Sequence, residues 1–98
     1  PAVIDAEVLH EILHRYRSLN RWTEGSRVFD LALTIVPDVL PVDRFVLLKA
    51  HGLMQSHPKI TARDAIHAAV VLHNGLQAIC SYDRDFDQID GLRRIEPS

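Results

Sequence analysis

Between Ala65 and Leu72 every residue except His67 is apolar, so a helix through this stretch has no wettable face and belongs inside a protein. Thr61 stands where an N-cap is wanted, Asp64 falls in the first turn, and Gly75 follows as a C′ residue. The next apolar run, Ala78 to Ser81, is short and reads as a parallel strand covered on both faces, with an acidic, turn-forming segment beginning where it stops. Asp83 is thereby expected at the carboxyl end of a strand. In open α/β sheets that edge is where ligands bind.

The rest of the chain supports the same architecture. Ile4 to about Arg17 reads as an amphipathic helix whose stripe is Ile4, Val8, Leu9, Ile12, Leu13 and Tyr16. A second helix is expected from about Thr23 to Ile35, before Pro37. Val39 to Val42 reads as a short strand, and Asp43 as the N-cap of a third helix through Phe45, Leu48 and Leu53. Pro58 closes that connection, and a last strand is expected near Leu92 to Ile95. Helices alternating with short apolar strands imply an α/β layered sheet. Ninety-eight residues make one small domain spanning 1–98.

Composition narrows the function classes. A net charge of −2 excludes a protein that holds nucleic acid by bulk positive charge, so a polyanionic partner requires local arginines or bound cations. The lone Cys80 fits a reducing compartment, and no apolar stretch is long enough to span a bilayer. A cytoplasmic protein with no membrane partner is expected. The sequence begins at Pro1, a few residues ahead of a helix, as a fragment of a longer chain would.

His10-Glu11-Ile12-Leu13-His14 matches H-E-x-x-H, in which two histidines at i and i+4 hold zinc and the glutamate activates water. At 100° per residue, however, His10 and His14 lie opposite the apolar stripe and point to solvent, with Glu11 on its flank. The extended form of the motif wants Gly and a third His where Arg17 and Asn20 stand. A zinc hydrolase is therefore the third of three readings.

Ala2 to Tyr16 with Glu11, Ala62-Arg-Asp64-Ala-Ile-His-Ala-Ala69, Ser81-Tyr-Asp83-Arg-Asp-Phe86-Asp and Gly91-Leu-Arg-Arg-Ile-Glu-Pro97 follow one another with the order and spacing of a known family. In these segments the chain resembles the PIN-domain ribonucleases, and among them the VapC-type toxins of toxin–antitoxin pairs. The resemblance implies a three-layer PIN-like fold, a short parallel sheet flanked by helices, here lacking its first strand and the first acid that strand carries. It implies a catalytic and metal-binding set of Glu11, Asp64 and Asp83 around Mg²⁺ or Mn²⁺, with Asp87 as an accessory acid. Arg15, Arg17 and Arg84 are the candidate RNA contacts. The implied activity is metal-dependent endoribonuclease cleavage of RNA, neutralised by a VapB-like antitoxin, in a protein that pairs as a homodimer. The second reading is an inactive PIN fragment serving only as a binding or oligomerisation module.

Each residue also has a structural role open to it. Asp64 fits a capping box with Thr61, Glu11 an ordinary helix flank, and Asp85 a solvated turn. His67 fits a packed position beside Asp64, while Trp22 and Phe29 are expected in the core.

Overall fold

The computed structural model describes residues 3–96, which fall into two compact units, one up to Pro41 and one from Val42. Ala2 and Pro97, which contribute to the sequence resemblance, lie outside the described residues.

The first unit is a helical hairpin with a minimal sheet. β1 (Ile4–Asp5) leads into α1 (Ala6–Ser18), α2 (Trp22–Ile35) follows, and β2 (Val39–Leu40) closes the unit. The helix expected to start at Ile4 starts two residues later. Ile4 and Asp5 are extended, pairing in parallel with Val39 and Leu40, and the buried Asp5 carboxylate accepts the Val8 N–H at 3.0 Å as the N-cap of α1. β2 is correspondingly shorter than expected. Pro41 has no N–H to give a ladder, and the strand stops before it.

The predicted stripe of α1 is the half-buried face, and His10 and His14 are exposed, as the periodicity requires. α2 packs on α1 at a point of close approach. A Cβ placed on the buried Gly25 would lie 2.4 Å from Tyr16 Cβ and 2.8 Å from its Cγ, so only glycine lets the two backbones come this near. The expectation of a core Trp22 is corrected. The indole is 42% exposed and carries the Arg17 guanidinium 4.4 Å above its ring centroid, a cation–π pair on the surface. Phe29 is half-buried.

The second unit holds the compact core. α3 (Arg44–Ser56) packs on α4 (Ala62–His73), and β3 (Ala78–Cys80) pairs in parallel with β4 (Arg93–Ile95), registering Ala78 with Arg93, Ile79 with Arg94 and Cys80 with Ile95. A 3₁₀ turn, Arg84–Gln88, lies between those strands in sequence. Both helix starts follow the predicted chemistry: Asp43 Oδ1 accepts the Val46 N–H at 3.0 Å, and Thr61 Oγ1 accepts the Asp64 N–H at 3.1 Å. α4 ends at Asn74, with Gly75 at φ +69° as the left-handed C′ residue.

Ala65, Ala68, Ala69 and Val70 of α4 are buried against Val46, Ala50 and Leu53 of α3, with Ile60, Phe86, Ile89 and Leu92 completing the core. The alanines let α3 and α4 approach closely, and each large side chain among these contributes about 1.5–3 kcal/mol on burial. α3 runs through Phe45, Leu48 and Leu53 as expected; its buried stripe is Val46–Ala50–Leu53, while Phe45 and Leu48 are 64% and 56% exposed. β3 departs from the expectation of cover on both faces. Ala78 and Ile79 are half-buried and Cys80 is exposed; among the described residues β4 is the one ladder partner of β3, with arginines at two of the three paired positions.

Candidate metal centre

Asp64 arrives at the site on the first turn of the buried helix α4, held there by the Thr61 cap. Asp83 arrives from the other side, just beyond the end of β3. The Ser81 hydroxyl accepts the Asp83 N–H at 3.0 Å, and Asp83 in turn caps the 3₁₀ turn by accepting the Asp85 N–H at 2.9 Å. These two local bonds turn the chain sharply after the strand and keep Asp83 and Asp85 on the same side of it. One carboxylate oxygen from each of Asp64, Asp83 and Asp85 then lies within 4.8 Å of the other two.

The electrostatics of this cluster are those of a site short of positive charge. The Asp64 carboxyl is buried and its pKa is raised above the ordinary 3.8, first because burial disfavours its charged form, then because the Asp83 carboxylate adds its negative charge and a carboxyl–carboxyl contact. The Thr61 hydroxyl and the Arg63 guanidinium oppose the shift, Arg63 from 3.9 Å. Opposite ligands of a small hard dication stand about 4.2 Å apart, twice the 2.0–2.1 Å Mg–O distance. A set of oxygens spread over 4.8 Å needs to close only slightly around such an ion, and an all-carboxylate donor set suits Mg²⁺ or Mn²⁺ rather than a softer metal.

Of the acids expected from the sequence, Asp64 and Asp83 come together in the second unit. Glu11 stands in the first unit, half-buried on the second turn of α1. Asp87 has a different occupation: Arg94 Nε donates to its Oδ1 at 2.8 Å and Nη2 to its Oδ2 at 3.3 Å, and this pairing lowers the Asp87 pKa. Arg94 also donates through Nη1 to the Ser81 carbonyl at 3.2 Å and to Glu96 at 3.1 Å, tying the end of β3, the 3₁₀ turn and β4 together. His57 adds a second tie, its Nδ1 lying 2.9 Å from the Leu53 carbonyl oxygen and its Nε2 3.1 Å from that of Gln88.

The residue that sequence reasoning passed over is Asp85. Its signal was the Asp-x-Asp alternation after a strand, in which the first aspartate caps the turn that carries the second. Of the candidate RNA contacts, Arg84 follows Asp83 on the exposed turn, Arg15 is exposed on α1, and Arg17 is engaged with Trp22.

A family pattern covers nearly the whole chain. The model of the PIN domain fits residues 1–92. The chain belongs to the PIN-domain family, in its VapC branch. It is 38% identical over 93 residues to VapC ribonuclease Mb1869c of Mycobacterium bovis and to ribonuclease VapC13 of Mycobacterium tuberculosis, an alignment covering 95% of this chain and 71% of each relative. Ribonuclease VapC23 of Mycobacterium tuberculosis is 31% identical over 84 residues, covering 83% of this chain and 64% of the relative. No solved structure matches the chain. The helices and short parallel strand pairs of this PIN domain are those of the expected α/β class. Among the described residues, no helix is long and apolar enough to cross a membrane.

Proposed function

We propose that the chain carries the metal-binding acids of a VapC-type endoribonuclease, in which Asp64 and Asp83, with Glu11 as the third member of the expected set, hold Mg²⁺ or Mn²⁺ for hydrolysis of RNA. The observation that carries this reading is the convergence of Asp64, Asp83 and Asp85 to within one ion's reach, with Asp64 buried and its ionisation penalised. The named activity of the VapC relatives supports the choice of RNA as substrate. Asp85 is added to the set as a fourth candidate acid, and Asp87 is assigned to bracing the turn through Arg94 rather than to the metal.

The role of each group follows from its setting. Asp64, buried and pinned by Thr61, supplies the fixed ligand, while Asp83 supplies a second from the opposite strand end. A bound dication offsets the charge that accumulates on the phosphodiester and makes water a usable nucleophile near neutral pH. Asp85, exposed at the edge of the cluster, is placed to accept a hydrogen bond from the incoming water. Arg84, next to Asp83 and exposed, supplies positive charge toward the RNA backbone, which an acidic cluster alone would repel; Arg15 and Arg17 are the further candidates on α1.

The proposed partners are a VapB-like antitoxin that covers the acidic groove and a second copy of the chain. The apolar side chains that α2 and α3 leave in water, Leu31 and Ile35 on one and Phe45, Leu47 and Leu48 on the other, support self-association. The test is cleavage of single-stranded RNA with Mg²⁺ or Mn²⁺, comparing the chain with Asp64→Asn and with EDTA-treated protein. Loss of cleavage in both is expected. Equal cleavage by wild type and Asp64→Asn overturns the assignment and favours the binding-module reading, and cleavage that persists in EDTA overturns the metal dependence.

A further inference from the structure

His10 and His14 are the one pair of histidines four residues apart in the sequence, and the pair is not used by the acidic site. Both side chains are exposed on α1, with ring centroids 6.1 Å apart and ring planes inclined by 31°. Residues at i and i+4 stand on one helix face with Cβ atoms about 5–6 Å apart, within reach of one shared ion. A borderline dication sits about 2.0–2.1 Å from each imidazole nitrogen, so small rotations of two solvent-facing rings bring both onto it.

A second feature of the same face points the same way. Glu7, one turn before His10, places Oε1 3.4 Å from His10 Nδ1, and the glutamate side chain is 21% exposed against 68% for the histidine. A carboxylate held against one ring nitrogen favours the proton there and leaves Nε2 as the lone-pair nitrogen facing water. This is the arrangement that orients metal-binding histidines generally. Glu7, His10 and His14 follow one another at i, i+3 and i+7 along α1, the glutamate half-buried and the two histidines exposed.

We propose that His10 and His14, with Glu7 orienting His10, form a binding site for a borderline transition-metal dication such as Ni²⁺, Zn²⁺ or Cu²⁺, separate in donor chemistry from the carboxylate cluster. Imidazole donors select these ions over Mg²⁺, so the two sites respond to different metals. Among the described residues the one group of three or more His, Cys, Asp or Glu donors at mutual ligand distance is Asp64, Asp83 and Asp85, which leaves the histidine pair with two protein ligands and water. That ligand number suits reversible surface binding, not the three-ligand zinc centre of an H-E-x-x-H hydrolase. The inference is independent of the proposed ribonuclease activity.

The test is calorimetric titration of the 98-residue chain with Ni²⁺ in excess Mg²⁺, which keeps the carboxylate cluster occupied by the harder ion. One Ni²⁺ per chain is expected. His14→Gln should weaken binding by about tenfold or more, and Glu7→Gln by a smaller factor, toward the low end of the roughly 10–100-fold seen for lost orienting partners. His14 is exposed and Glu7 half-buried on α1, and circular dichroism checks that the helix persists in both variants. Unchanged Ni²⁺ affinity in either variant overturns the proposal, as does loss of Ni²⁺ binding in Asp64→Asn, which would put the ion in the acidic cluster.

Discussion

The same substitution should have opposite effects at two helical glycines, and the difference isolates the contact between α1 and α2. At Gly52, inside α3, an added Cβ meets nothing within 4 Å. Alanine there gains the helix-propensity difference, about 1 kcal/mol. At Gly25 the same methyl would lie 2.4 and 2.8 Å from Tyr16 Cβ and Cγ, atoms too near the backbone of α1 to swing aside. Ordinary carbon contacts lie at about 3.5–4.0 Å, so the helices must separate by more than an ångström at their closest point or distort. Overpacking of this kind costs about 1–3 kcal/mol; with root-attached neighbours the upper end applies, and the propensity gain of about 1 kcal/mol leaves a net loss near 2 kcal/mol. Urea unfolding followed by circular dichroism measures both. In a domain of this size 1 kcal/mol corresponds to roughly 4–8 °C in Tm, so Gly52→Ala should melt about 4–8 °C higher and Gly25→Ala about 8–16 °C lower. If Gly25→Ala is as stabilising as Gly52→Ala, the helices do not approach as described and the reasoning fails.

Removing the charge of Asp64 should stabilise the metal-free protein in a pH-dependent way. Because the native pKa is raised, the favourable contribution of this carboxyl is complete below the ordinary value of 3.8 and is lost as pH rises through the native value. In EDTA, the stability of Asp64→Asn relative to wild type should therefore increase from pH 4 to pH 7, as read by urea midpoints; a difference that stays flat with pH refutes the charge repulsion. Adding Mg²⁺ at pH 7 should raise the melting temperature of wild type and leave that of Asp64→Asn nearly unmoved, since binding to the native state stabilises it by mass action. Thr61→Ala should cost about 1 kcal/mol through the lost cap of α4 and should also weaken Mg²⁺ binding, because the same hydroxyl fixes the backbone that carries Asp64. Loss of stability with unaltered Mg²⁺ affinity would show that the cap does not position the ligand.

What the sequence discloses here is what local chemistry determines. The α4 helix, its Thr61 cap and its Gly75 terminus are written in adjacent residues, as is the Asp43 cap of α3, and the structure has each where the residues put it. β1 is two residues long and exists because Val39 and Leu40 come alongside, a pairing across more than thirty positions that periodicity cannot register. Which face of α3 packs on α4 is not legible, because Phe45, Leu47 and Leu48 are as apolar as Val46 and Leu53 and hydrophobicity alone does not distinguish the packed face from the exposed one. Asp83 and Asp64 were legible as a pair through their positions at a strand end and a helix start. Asp85 and Asp87 were not separable by spacing: what divides them is Arg94, which arrives from β4 and takes one of the two.

Arg94 therefore decides more than the fate of a single acid. By fastening the segment after β3 at the Ser81 carbonyl and at Asp87, while Glu96 holds the same guanidinium from beyond β4, it braces that segment. For the proposed metal binding, the turn that carries Asp83 and Asp85 would already be braced, so little binding free energy would go into ordering that peptide around an ion. Capture and release of such an ion would then proceed without local unfolding, at rates set by how readily it sheds its water.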